Sequence, residues 1–371
     1  MLYPVTPIFL SAVLGASMTQ LGLIEGLADA VSQLLKAYSG LWSDRIANRK
    51  SFILIGYSLS AVAKPLIGVA DGVFGVLLAR SCDRVGKGIR VAPRDALIAD
   101  SLDGAADSGA AFGWHRLMDT LGAFVGPLVT LLLLSKFQMP LRSIYFWTII
   151  PGLLAVIAIL FLREATPKVQ IESRGLGQMT FDLSQLRIGK DLKHFIFYFS
   201  LFSLANSSDA FLILQAKNVG ISTENTLLLY CGYNLVYAAL SPVLGRIADR
   251  KPKKNVLAFG FVVYALVYSG FAFAREPSHF ALLFAAYGFY MAATDGVGKA
   301  FTVELCDKEN RGAAIGLLSS ATGLSSIIAS LMFGIIWDRF GSGPAFMVCA
   351  ATALLAALLF AFRFPGRNHA I

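Results

Sequence analysis

Apolar residues along this chain fall into long runs set apart by short polar links, and the runs carry the first information. The pattern predicts apolar spans over residues 2–14, 20–41, 51–70, 73–96, 110–134 and 143–162. A polar stretch from Arg163 to Lys193 follows, containing Pro167, Gly175, Gly177 and several cations, and it reads as a linker. A second set is predicted over residues 194–216, 223–244, 255–274, 280–303, 313–337 and 345–362, which puts six spans on either side of the linker. A run of about 20 apolar residues matches the thickness of a hydrocarbon layer, so each full run is expected to be a membrane-crossing helix.

The links repeat. Gly40-Leu-Trp-Ser-Asp-Arg-Ile-Ala-Asn-Arg-Lys50 and Gly245-Arg-Ile-Ala-Asp-Arg-Lys-Pro-Lys-Lys254 share a Gly-x-x-x-Asp-Arg core about 205 positions apart. Such an echo points to an internally duplicated membrane protein. The first run is short by that measure, since only about 15 residues separate Met1 from the turn near Ser17 and a crossing takes about 20. At the same offset Met1 corresponds to Asn206, in the middle of the seventh span. The expectation is a first helix that lacks roughly a dozen residues at its N-terminus.

Composition agrees with lipid as the main solvent: hydrophobic residues are 56% of the 371, charged residues 15%, and mean hydropathy is +0.65. The net charge of +9 raises nucleic acid as a partner, but the cations sit in alternate links. Arg45, Arg49 and Lys50, the linker, Arg246 to Lys254, and Arg363 with Arg367 are the basic clusters, whereas the intervening links hold isolated residues such as Lys136, Arg142, Lys217 and Arg275. Positive-inside topology explains this distribution, so no nucleic-acid partner is expected, and the linker and C-terminus are expected in the cytoplasm. Cys82, Cys231, Cys306 and Cys349 are scattered, which argues against a disulfide framework or a zinc site. No phosphate loop, nucleophile elbow or metal-ligand pattern occurs, so neither an enzyme nor a bound cofactor or metal is expected.

Charges inside spans are costly in lipid and are expected to face protein or a wet cavity. On the second span Glu25, Asp29, Ser32 and Lys36 recur at helical steps, and on the fourth Asp83, Lys87, Arg90 and Arg94 form one stripe flanked by Arg80 and Arg84. Gly86 and Gly88 allow a neighbouring helix to approach. Asp29 and Arg84 both fall near the middle of their spans and are expected to pair. Two readings stand for the cations: a fork of Arg84 and Lys87 for a carboxylate or phosphate, or neutralisation by Asp83, Asp95, Glu25 and Asp29. On the fifth span His115 and Asp119 could exchange a proton, or Asp119 could pair with Arg116. In the second half Asn206, Asp209, Tyr230, Asn234, Tyr237 and Asp295 are the polar points, Tyr230, Asn234 and Tyr237 share a face, and Asp295 is expected to pair with Lys299.

Several motifs together resemble the major facilitator superfamily of secondary transporters. Beside the two Gly-x-x-x-Asp-Arg links, Arg80 opens the fourth span as that family's arginine does. Gly122-Ala-Phe-Val-Gly-Pro127 is similar to the fifth-span signature of its proton-coupled exporters, with Thr130-Leu131 where the signature closes on Gly-Gly. Arg311-Gly-Ala-Ala-Ile-Gly316 resembles the opening of the eleventh helix, while Ser108-Gly109 stands where the first half would carry Arg-Gly. The run from Asp83 to Asp100 is similar to one in a largely uncharacterised bacterial branch.

The resemblance implies an all-α membrane protein, a twelve-helix bundle of two pseudo-symmetric halves over residues 1–162 and 194–371 with a linker over 163–193. It implies secondary active transport of a small organic solute by alternating access, as proton-coupled efflux from a monomer in a bacterial inner membrane. The alternatives are uptake of an organic anion or metal-chelate, or a non-transporting receptor or truncated remnant. Glu25, Asp29, His115 and Asp119 are the expected proton-coupling residues, and Arg80, Arg84, Lys87, Asn206, Asp209, Asn234 and Asp295 the expected solute contacts. Asp44, Arg45, Asp249, Arg250 and Arg311 are, by the same resemblance, gate elements.

Overall fold

Residues 2–46, 48–100, 108–162, 189–306 and 311–364 are described by the computed structural model of the chain, and their regular structure is helical. The first half runs α1 (Val5–Ala12), α2 (Met18–Ile46), α3 (Arg49–Val69), α4 (Val73–Asp100), α5 (Ser108–Ser135), α6 (Leu141–Trp147) and α7 (Ile149–Leu160). The second runs α8 (Lys190–Ser203), α9 (Ala210–Asn218), α10 (Thr223–Arg250), α11 (Lys253–Phe273), α12 (Pro277–Glu304), α13 (Arg311–Phe340) and α14 (Ser342–Arg363). Counting α6 with α7 and α8 with α9 as interrupted single spans, the described residues follow the twelve-unit order that the apolar runs predict. Most of the expected linker, residues 163–188, lies outside the described residues, and Lys190 to Lys193 already belong to α8.

The seventh span differs from the continuous helix expected over residues 194–216. It breaks between Ser203 and Ala210, because Asn206-Ser207-Ser208-Asp209 offers short side chains that compete for backbone hydrogen bonds. Ser208 Oγ accepts from the Ala210 amide at 3.3 Å, and the Ser207 amide turns back to the Ala205 carbonyl at 3.0 Å. The sixth span is interrupted at Thr148, where Pro151 has no amide to offer the preceding turn. By the repeat offset, α1 matches α9, and these two helices lie against each other.

Among the described residues eight helices are long and apolar enough to cross a membrane. The helices with the charged stripes, α2 and α4, match them in length, but their stripes lower their apolarity. Large side chains such as Phe161 and Phe362, each 82% exposed, cover the outer surface, as lipid-facing residues do.

The two halves are packed by different means. In the first, glycines let helices touch: a Cβ on Gly56 of α3 would lie 2.6 Å from the Gly86 carbonyl oxygen of α4. In the second, aromatic rings fill the core, with Phe202 and Phe261 stacked 3.8 Å apart and Tyr264 and Tyr268 stacked at 4.1 Å.

Lysines from the basic links fasten the last helix of each half. Lys50 Nζ donates to the Leu160 and Leu162 carbonyls, both at 2.8 Å, and Lys254 Nζ donates to the Phe364 carbonyl at 2.7 Å. Contact between halves is made by α2 with α13 and by α5 with α10. At the end away from the basic links α2 and α13 touch backbone to backbone, through Gly22 against Ser330 and Gly334 against Met18. Toward the basic end the halves separate and enclose a cavity.

Candidate functional site

The cavity between the halves has a volume of about 1500 Å³ and extends to Asp95 of α4 and Gly312 of α13, at the basic end. One wall comes from α2, α3 and α4 and is charged; the other comes from the broken seventh span, α10, α12 and α13 and is aromatic and hydroxyl-rich.

On the charged wall most cations are already engaged. Arg80 and Glu25, both buried, form a two-pronged pair, Nε to Oε1 at 3.1 Å and Nη2 to Oε2 at 2.9 Å. An expected solute contact and an expected proton carrier therefore satisfy each other. Arg90 donates to Ser60 Oγ at 2.5 Å and to the Gly56 carbonyl at 3.3 Å, and its guanidinium lies 4.5 Å from the Tyr57 ring centre. Arg94 pairs with Asp95 at 3.0 Å.

Arg84 and Asp29 do not pair directly as expected. Asp83, next to Arg84 in sequence, takes that contact at 3.6 Å and also meets Lys64 at 3.6 Å, and no ion pair to Asp29 occurs among the described residues. Helical periodicity put Asp29 and Arg84 on facing stripes but could not fix the reach between them. Asp29 lines the cavity. Lys87 also lines the cavity and makes no ion pair among the described residues, and Arg84 Nε is buried without an acceptor. Among the described residues neutralisation of the fourth-span cations thus holds for Arg80 and Arg94, is incomplete at Arg84 and Lys87, and does not extend to Arg90, whose acceptors are uncharged.

The aromatic wall is organised by the break. Asp209, at its end, accepts from the Tyr287 hydroxyl at 2.6 Å and the Tyr233 hydroxyl at 3.4 Å. Asn206 lines the cavity. Asn234 is buried and donates to the Tyr230 carbonyl of its own helix at 2.8 Å, away from the cavity wall. Asp295 pairs with Lys299 at 2.9 Å, as the spacing suggested, and also accepts from Tyr237 at 2.8 Å. Tyr230 stacks on Tyr3 from the other half, ring centres 5.7 Å apart. The sequence reading missed Tyr233, Tyr287, Tyr290 and Lys64; the only signal for the pair on α12 was the three-residue spacing of two tyrosines.

His115 is half-buried and Asp119 is exposed at the cavity rim, with no hydrogen bond between them among the described residues. The side chains of Arg116, Asp44, Arg45 and Arg311 lie outside the described residues. Asp249 and Arg250 are exposed in the last turn of α10. Among the described residues no group of three or more His, Cys, Asp or Glu could hold a metal ion.

Two bundles around a central cavity, each with its copy of the repeated link, are matched by a sequence model of the Major Facilitator Superfamily over residues 1–230 and 195–371. The chain belongs to the major facilitator superfamily. Members of this superfamily are transporters rather than enzymes, and this one is a multi-pass membrane protein of that kind. An uncharacterized MFS-type transporter of Methanocaldococcus jannaschii, MJ1317, is 33% identical over 98% of this chain and 90% of its own. A multi-drug resistance efflux pump PmrA homolog of Lactococcus lactis is 28% identical over 41% of this chain and 38% of its own. In fold the superfamily member is similar to the nucleoside transporter NupG, with a TM-score of 0.78, 15% identity and coverage of 96% and 93% of the two chains. It is also similar to a D-xylose–proton symporter, with a TM-score of 0.75, 15% identity and coverage of 98% and 93%.

Proposed function

We propose that this protein moves a small organic solute across the membrane by alternating access, coupled to protons, and that the structure is the state open to the cytoplasm. Positive-inside topology assigns the basic end, where the cavity opens, to the cytoplasmic face. The observation that carries the reading is the pairing of a cavity between two repeated bundles with two carboxyls on its opposite walls. Asp29 has no ion-pair partner among the described residues, and Asp209 is held by two tyrosine hydroxyls. Such groups can gain a proton without breaking a salt bridge, which Glu25 cannot do while it holds Arg80. Asp29 and Asp209 are therefore the proton carriers in this reading.

Outward movement by proton antiport is supported by the Lactococcus lactis relative named as an efflux pump, and a cavity facing the cytoplasm is where such a carrier collects its cargo. The test uses purified protein in sealed vesicles with an imposed proton gradient and a trapped pH dye. Addition of a small-molecule extract of bacterial cytosol should produce proton movement that Asp29→Asn and Asp209→Asn abolish. Proton movement that is unchanged in both variants, or absent in the parent protein, overturns the reading.

A further inference from the structure

The cations of the charged wall are not balanced at one place. Arg80 and Arg94 each pair with a carboxylate, whereas Arg90 donates to Ser60 Oγ and Lys36 Nζ donates to Gln33 Oε1 at 3.0 Å. Lys64, Arg84 and Lys87 remain, and they face two carboxylates, Asp83 and Asp29, of which only Asp83 is within ion-pair distance. Counted with Arg90 and Lys36, whose acceptors carry no charge, the cations outnumber the carboxylates here, and Arg84 and Lys87 lie at a position enclosed on one side by protein and open on the other to the cavity. Arg84 is 9% exposed, and its Nε has no acceptor among the described residues. A guanidinium nitrogen buried without a partner costs stability, and a ligand oxygen could offset that cost.

The opposite wall narrows the ligand further. Tyr230, half-buried, lines the cavity beside Tyr3, and the buried rings of Tyr287, Tyr290 and Phe202 back that wall. Rings at this position favour a flat body, and hydroxyls at their edges allow polar substituents on it.

We infer that the solute is an organic anion, with a carboxylate or similar acidic group held by Arg84 and Lys87 and a flat ring system lying against Tyr230. The assignment rests on the transport reading above and specifies its cargo. Arginine supplies the planar fork and lysine a second donor, a combination that discriminates an anion from a neutral or cationic isostere. Outward movement of an anion is favoured by the same interior-negative potential that draws protons in.

The experiment measures binding to the detergent-purified full chain by thermal shift and titration, with three probes on one ring: indole-3-acetate, indole-3-ethanol and tryptamine. Indole-3-acetate should bind saturably and raise Tm, and the alcohol and the amine should bind at least about tenfold more weakly. Arg84→Gln and Lys87→Gln should each weaken indole-3-acetate by about tenfold or more, while Lys87→Arg keeps most of the affinity. Lys87 is half-buried, so its variants report even where Arg84→Gln does not fold. Equal or tighter binding of the alcohol or amine, no saturable binding of the acid, or unchanged affinity in Lys87→Gln overturns the assignment. Proton-driven flux that persists with a cationic solute would remove the anion class and leave the transport reading intact. Anion binding without any flux would do the reverse.

Discussion

Asp338, in the last turn of α13, accepts from the backbone amide of Thr19 at 2.8 Å and from its hydroxyl at 2.6 Å, joining one half of the molecule to the other. The second oxygen accepts from the Met18 amide at 3.0 Å, and Ser17 and Gln20 complete a reciprocal cap, so the free amides that open α2 are occupied. This bond lies at the end where the halves meet, and separation of the halves there would break it. Asp338→Ala should lower the closed-to-open ratio at that end by a factor of about 5–30, the equivalent of roughly 1–2 kcal/mol for a helix cap. Spin labels at Lys136 and Arg275, exposed on the two halves at that end, should show a longer distance component. An unchanged distance distribution would remove Asp338 from the closing mechanism.

The pair between Arg80 and Glu25 is buried on both sides, so loss of one member strands the other. Glu25→Gln should destabilise by about 3–5 kcal/mol, and Glu25→Leu combined with Arg80→Met should recover most of it. Melting of the single and double variants in detergent checks this. A mild effect of Glu25→Gln together with loss of proton coupling would return Glu25 to the list of proton carriers.

Where α3 crosses α4, Gly56 and Gly86 leave no room for a side chain, since each Cβ would lie 2.6 Å from the other's carbonyl oxygen. Gly86→Ala should cost about 1–3 kcal/mol, because backbone must move rather than a side-chain tip. A variant that melts with the parent protein would mean that the two helices can separate freely there.

Lys50 reaches across to the last carbonyls of α7, as Lys254 does to the residue after α14. Lys50→Met removes charged donors from two carbonyls and should lower stability by about 1 kcal/mol, with the larger part lost at low salt. Thermal melts at two ionic strengths measure both the size and the salt dependence.

What the sequence made legible follows from periodicity. The Gly-x-x-x-Asp-Arg links fall where α2 and α10 end, and the apolar runs coincide with helices to within a few residues, because a lipid-facing helix has to be apolar over its whole length. Contacts between helices were less readable. Glu25 and Arg80 each stood out as a charge within a span, yet spacing along one helix does not say which charge on another helix it meets. The break at Asn206 to Asp209 was hidden because the apolar residues on both sides of it merge into one run. Asp338 resembled an ordinary polar residue at a helix end, and its role depends on an amide end supplied by the other half.

Proton-driven flux in vesicles that hold either the parent protein or Asp29→Asn tests the central claim most directly. With an imposed proton gradient the parent protein should move solute against its concentration, and Asp29→Asn should bind solute yet fail to concentrate it. Concentrative transport by Asp29→Asn equal to that of the parent protein would contradict the account.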